Sequence, residues 1–242
     1  AQAWSVISGA APDKNARQAL QSARELLVSE DEGLIRLLTP AFDQTQKNPG
    51  YIKGYIPGVR ENGGQYTHAA LWLVRAFAEM GHRPYAAKLL KMLTPVDHAA
   101  SEGQANQYMV EPYAVAADIY GEVPLTGMGG WTWYTGSAGW MYRVMLESIL
   151  GLQIQEGNKL ILQPLILPEW EYYAITVNSI DGKTTYHIKI SNQQKRSEGS
   201  FDVQLDGDDL AMVDDIIEVE MRDDGKEHEL EIAVRKKRDI IS

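Results

Sequence analysis

Cysteine is missing from all 242 residues, which excludes disulfides and thiolate metal sites. Its absence fits a cytosolic protein. Long hydrophobic runs are missing as well. No stretch approaches the roughly 20 consecutive apolar residues of a membrane helix, so no membrane segment is expected. The opening AQAWSVISGAAP has neither the basic start nor the apolar run of a signal peptide. Positive charge is scarce, with 23 Lys and Arg against 33 Asp and Glu. An acidic surface repels a phosphate backbone, so nucleic acid is not an expected partner. The one basic run, Arg235 to Arg238, reads as a solvated tail. The five histidines are scattered and show no His-x-x-x-His spacing, so no metal is implied.

What is present changes character along the chain. Up to about residue 150 the apolar positions recur every three or four residues; beyond Gly151 they alternate. The first pattern predicts helices over 12–28, 67–80, 84–93, 112–120 and 137–150, with long connections 39–66, 95–108 and 121–136 rich in Gly, Pro and aromatics. Connections of that length in a compact domain usually carry function. The second pattern predicts strands over 159–162, 173–178, 184–190, 201–205, 216–221 and 229–234. Asp181-Gly182 and Asp224-Gly225 give hairpin signals. These read as a small antiparallel sandwich with no chemistry of its own, and His187 and His228 are expected to have no role.

Three clusters could carry chemistry, all at junctions of loop and predicted helix. In 57–68, Gly63-Gly64 lets the backbone approach a ligand, and Arg60 and His68 offer charge-assisted donors beside a helix start, where an anion is favoured. The plain alternative is a turn with His68 as a satisfied histidine. In 129–140, aromatic residues Trp131, Trp133 and Tyr134 could face sugar rings, and Thr135 with the Gly136 N–H suits a phosphate oxygen. Trp140, Val144 and Met145 have the spacing of core residues. Glu111 either caps the helix predicted from Pro112 or accepts bonds from sugar hydroxyls.

The motifs QAWSVISGAA, GYIKGYIPGVRENGGQYTHAALW, VEPYAVAADIY and GGWTWYTGSAGWMYRVMLESILGLQ occur in fixed order over about residues 1–170. In these the chain resembles the glycoside phosphorylases of glycoside hydrolase family 94. YTHAALW and WTWYTGSAGW are closer to the terminal domain of cyclic β-1,2-glucan synthases than to cellobiose phosphorylase. The resemblance implies α plus β architecture in two domains. Residues 1–151 would be the C-terminal portion of an (α/α)6 catalytic barrel, and 152–242 a small antiparallel β-sandwich. It implies a reaction in which inorganic phosphate, a substrate and not a cofactor, attacks the anomeric carbon of a β-glucan to give α-glucose 1-phosphate with inversion. Phosphate is already an anionic nucleophile, so it replaces the water and base carboxylate of an inverting hydrolase. By the same resemblance His68, Thr135 and Gly136 bind phosphate, and Arg60, Glu61, Gln65 and Glu111 bind or support sugar.

One element of the family pattern is missing. The general-acid aspartate sits there in an Asp-Trp-Asn-Asp-Gly-like motif, which does not occur here, so it is expected upstream of Ala1. The chain is therefore expected to be inactive alone, and to need the rest of the barrel or to self-associate through exposed helix faces. Two further readings stay open: a non-catalytic carbohydrate-binding or scaffolding remnant, and a hydrolase using Glu61 or Glu111. The resemblance places the protein in the cytoplasm, or on the cytoplasmic face of the inner membrane within a cyclic glucan synthase.

Overall fold

The computed structural model describes residues 1–196 and 199–235; the basic run lies outside them beyond Arg235. The fold is α plus β, and its contacts divide the chain into two units, Ala1–Ile149 and Leu150–Ser242. Seven α-helices occur among the described residues, and they do not close into a barrel.

The first unit opens with α1 (Gln2–Ile7) and α2 (Asp13–Leu27). Pro12 precedes α2, and Ala16, Leu20 and Ala23 form its buried stripe. A short hairpin, β1 (Val28–Ser29) and β2 (Leu34–Ile35), and a 3-10 turn at Gly50–Gly54 lead to β3 (Gln65–Tyr66). Then comes α3 (Thr67–Glu79), which buries Ala70, Leu71, Leu73, Val74, Ala76, Phe77 and Ala78. A helix apolar on nearly every side belongs at the centre. It packs against α1, α4 (Arg83–Leu93) and α7 (Thr135–Arg143). A π-helix, Val144–Leu150, continues α7. Arg83 closes the bundle by donating to the carbonyls of Ser148 (3.1 Å) and Ile149 (2.9 Å).

Two expectations fail in this unit. The connection 95–108 contains α5 (Pro95–His98) and α6 (Glu102–Tyr108), whose first turns are capped by the hydroxyls of Thr94 and Ser101. Conversely, the helix expected over 112–120 is absent. A turn at 111–114 leads into β4 (Asp118–Ile119), antiparallel to β3. The alanines at 114, 116 and 117 have good helix propensity, but their backbone groups are engaged elsewhere. Thr67 N–H donates to the Ala117 carbonyl at 2.9 Å, and Ala117 N–H to the Trp131 carbonyl at 2.6 Å.

The second unit stacks two sheets. One has the order β11-β6-β5, from β5 (Leu152–Gln155), β6 (Lys159–Leu162) and β11 (Ile217–Glu220). The other runs β10-β9-β12-β8-β7, from β7 (Tyr172–Asn178), β8 (Thr185–Ser191), β9 (Ser200–Leu205), β10 (Asp208–Asp209) and β12 (Glu227–Arg235). Leu160, Leu162, Ile217, Ile188, Leu230 and Ile232 from both sheets share one core. The β7–β8 hairpin turns at Asp181-Gly182 as expected. Asp224-Gly225 does not make a hairpin: it carries the chain from β11 in one sheet to β12 in the other. β12 therefore enters between β8 and β9 and pairs with β8 in parallel, against an otherwise antiparallel set.

His228, expected to have no functional role, is 3 % exposed at the end of this core. Its ring stacks on Tyr186, Nδ1 lies 2.7 Å from Asp206, and Nε2 lies 3.2 Å from Asp224. The hydrogen bond to His228 holds the Asp206 carboxyl below its ordinary pKa. Desolvation pushes Asp224 up, but His228 and the Lys226 N–H outweigh it, so its net shift is also downward. Depressed carboxylates add stability that is complete above their unfolded value, about 3.9, and is lost as pH falls through the lower folded values. The urea midpoint of this unit should therefore fall as pH drops below about 4. In Asp206→Asn it should fall less over that range; an equal fall in both proteins would count against the linkage.

Candidate active site

The three clusters meet along one short loop. Residues 129–134 run from the bridge Ile119–Gly129 to the start of α7. Trp133 takes φ +66° within it, a costly conformation for a bulky residue. Its indole N–H holds it there by donating to Glu111 at 3.1 Å, and its ring meets Tyr113 edge to face at 6.3 Å. The Glu111 carboxyl is kept below its ordinary range by its own backbone N–H first, then by Trp133 and Thr132. Glu111 thus fixes this loop. Nothing follows it as a helix for it to cap.

Arg60, at φ +51°, heads a tight turn closed by Gly58 N–H to Asn62 O (2.8 Å) and Asn62 N–H to Val59 O (3.0 Å). Its guanidinium lies 5.7 Å from the Tyr55 ring and 5.6 Å from the Trp131 ring, and it bonds Tyr134. Burial opposes its charge, but Tyr134 and Asp118 outweigh that and raise its pKa. Trp131 and Tyr134 stack at 6.0 Å, 15° from parallel, both with exposed faces. A side-chain nitrogen of Arg60, Nε, and Glu61 Oε2 are buried without a partner among the described residues.

His68, in the first turn of α3, is boxed by Trp72 at 4.5 Å and Trp140 at 5.9 Å between ring centroids. A methyl group on Gly136 would sit 4.0 Å from His68 Nδ1, so His68 and the first turn of α7 adjoin. Its Nε2 is buried with no partner among the described residues, and burial lowers the pKa of the ring. Neither α3 nor α7 has a side-chain cap. Thr135 and Gly136 are exposed, and their first-turn N–H groups have no partner within the helix. A neutral histidine, a hydroxyl and free N–H groups meet here, a set suited to an anion.

Gln65 does not join them. It is fully buried on β3, and its Oε1 accepts the Ile35 N–H at 2.9 Å. Two residues that the sequence did not single out, Asn62 in the same stretch and Asp118 on β4, are structurally central. Asn62, fully buried, accepts the Phe42 N–H at 2.7 Å and donates to the carbonyls of Tyr55 (2.8 Å) and Phe42 (3.3 Å). Asp118, also fully buried, accepts the Trp131 N–H at 3.1 Å. Among the described residues no group of three or more His, Asp or Glu is placed to hold a metal ion.

Comparison with known proteins finds a family and relatives for this chain. Residues 1–151 match the model of the glycosyl hydrolase 94 superfamily, catalytic domain. Over 82 % of its length the chain is 48 % identical to a cyclic beta-(1,2)-glucan synthase, NdvB, of Rhizobium meliloti, covering 7 % of that protein. It is 28 % identical to solabiose phosphorylase of Paenibacillus borealis over 87 % of its length, covering 26 % of that protein. It is 29 % identical to N,N'-diacetylchitobiose phosphorylase of Vibrio proteolyticus over 84 %, covering 24 %. The chain therefore spans about a quarter or less of these relatives. The match over 151 of 242 residues, and the glucan synthase and phosphorylases among its relatives, show that the chain belongs to the glycosyl hydrolase 94 superfamily.

Proposed function

We propose that residues 1–151 form the phosphate-binding side of an inverting glycoside phosphorylase domain, part of an (α/α)6 barrel acting on β-glucans, with β-1,2 linkage favoured by the glucan synthase relative. Residues 152–242 form its accessory β domain. The observation that carries this reading is the meeting of His68 with the uncapped first turn of α7 at Thr135 and Gly136. There the phosphate would accept hydrogen bonds from the Thr135 hydroxyl, the Gly136 N–H and His68. One phosphate oxygen attacks the anomeric carbon from the face opposite the glycosidic bond. The carbon–oxygen bond to the leaving sugar breaks, and that oxygen takes a proton from a carboxylic acid. In this reading the acid comes from an upstream part of a longer protein. The exposed faces of Trp131 and Tyr134 beside Arg60 offer a platform for sugar, and Glu61 and Glu111 support it. No described helix is long and apolar enough to cross a membrane. Placement in the cytoplasm, or at the cytoplasmic face of the inner membrane within a glucan synthase, belongs to the same proposal.

Phosphate should raise the unfolding temperature of the chain, and His68→Ala should weaken phosphate binding about tenfold or more, the scale of a lost charge-assisted bond. Sulfate keeps one charge state near neutrality and isolates the histidine. Because an anion favours the protonated ring, sulfate should bind more tightly at about pH 6 than at pH 8, and His68→Ala should remove that difference. Thermal shift against anion concentration tests both. An unfolding temperature indifferent to phosphate and sulfate would sink the assignment. Conversion of a β-1,2-glucan oligomer to glucose 1-phosphate by this chain alone would refute the upstream acid.

A further inference from the structure

We propose that Asp118 is a positioning residue for this site, its buried carboxylate clamping the Arg60 turn to the loop that presents Trp131, Thr135 and Gly136. The effect on ligands rests on the phosphate reading above; the clamp itself does not.

The geometry is a two-residue grip. Ala117 N–H reaches the Trp131 carbonyl at 2.6 Å, the Asp118 carbonyl takes the Gly130 N–H at 2.8 Å, and Asp118 Oδ1 takes the Trp131 N–H at 3.1 Å. The grip is close enough that any side chain at 130 would press on the carboxylate. A Cβ there would lie 2.5 Å from Oδ1 and 2.6 Å from Oδ2 of Asp118. On its other side the carboxylate faces the turn at 60–61 and the strand residue opposite it, Tyr66.

A plain hydrogen-bond acceptor would not need a charge. Burying an ionised carboxylate is costly, and an asparagine could accept the Trp131 N–H more cheaply. Among the described residues Asp118 Oδ2 moreover has no hydrogen-bond partner. What the charge adds is attraction to Arg60, among the described residues the one cation facing it; the other groups there are Glu61 and Tyr66. Burial raises the Asp118 pKa, with the Trp131 N–H, the Arg60 charge and the Arg60 N–H opposing that shift and Glu61 adding to it. Protonation on acidification therefore weakens the pull on Arg60 at a pH above the ordinary carboxylate range. The Arg60 side chain is held between Tyr55, Trp131 and Tyr134, so its position follows the clamp.

The test uses the whole chain labelled with 15N-tryptophan, in wild type and Asp118→Asn, with Asp208→Asn as an exposed charge control. The Trp131 backbone amide, assigned through Trp131→Phe, should shift with pH about a midpoint above the usual carboxylate value, about 3.9. The shift should vanish in Asp118→Asn and persist in the control. Sulfate affinity, rising from pH 8 towards pH 6 through His68, should fall again at lower pH as Asp118 is protonated. Asp118→Asn should lose that acid limb and bind sulfate about tenfold more weakly near neutrality. Simple Coulomb repulsion predicts the opposite sign, since removing a negative charge should tighten anion binding. Unchanged or tighter binding by a folded Asp118→Asn, or a Trp131 amide that does not titrate in wild type, overturns the proposal. If wild type binds no sulfate, the phosphate reading fails and the amide titration alone decides the clamp. Should Asp118→Asn not fold, Gly130→Ala presses on the same carboxylate and should displace the Trp131 amide midpoint; an unmoved midpoint overturns the proposal.

Discussion

Asn62→Ala is expected to lower the stability of the first unit by about 3 kcal/mol or more, from about 1 kcal/mol for each bond lost and a further penalty for groups left unpaired. One amide side chain serves three backbone groups from two separate segments, the Phe42 N–H and the carbonyls of Phe42 and Tyr55. Asn62 is fully buried, so water does not replace it without the structure opening. Asn62→Asp is the sharper variant. It keeps the acceptor for Phe42 N–H but turns the donor towards two carbonyls into a second acceptor, so it should be at least as damaging near neutral pH. Urea unfolding followed by tryptophan fluorescence reads this unit well, because Trp4, Trp72, Trp131, Trp133 and Trp140 lie in it and only Trp170 does not. A loss below about 1 kcal/mol would mean that the 40–42 and 55 segments are held by something else.

Gly58→Ala is expected to cost about 2–4 kcal/mol and to abolish the anion binding proposed at Thr135. Two penalties add. Gly58 sits at φ +82°, where a side chain is strained, and the added Cβ would fall 2.5 Å from Glu122 Cβ and 2.6 Å from the Glu122 backbone nitrogen. A backbone atom cannot swing aside as a side-chain tip can. The carbonyl of Gly58 also accepts the Gly121 N–H at 2.8 Å, which ties the Arg60 turn to the chain leaving β4. Displacing one therefore displaces the strand that carries Asp118. Gly54→Ala is the control: its Cβ would meet nothing within 4 Å and its φ is not positive. Comparable losses in the two variants would show that general loop entropy, and not this contact, sets the effect.

The helices visible in the sequence were those whose apolar spacing answers to burial. α2, α3 and α4 begin and end within a residue or two of the expected bounds because one face of each meets the core. The stretch 112–120 misled because alanine favours a helix while the tertiary partner, here Thr67 and Trp131, claims the backbone first. The caps Thr94 and Ser101 were local signals that could have revealed α5 and α6 within the supposed connection. At the site, the Gly-rich and aromatic wording draws attention to stretches that the fold brings together, but not to the buried Asn62 and Asp118. Gln65 looks available in a polar run, yet pairing of β3 turns it inward. Asp118 stands among alanines with no local pattern. Its meaning lies in Gly130 and Arg60, neither near it in sequence, and only the folded chain brings them together.

The placement of β12 bears on how the protein is made. This last described strand is the middle of its sheet, with β8 on one side and β9 on the other. A ribosome delivers residues in order, so β7 with β8, and β9 with β10, emerge as separate hairpins holding open the seat that residues 227–235 will take. Until then Ile188, Ile190 and Val203 lack the neighbours Leu230 and Ile232 that complete their core. The five-stranded sheet is thus complete only once its central strand has been made. A transcript cut short, or a protease that trims the chain before residue 227, would leave two unjoined hairpins with facing edges bare, an invitation to pair with a neighbouring copy.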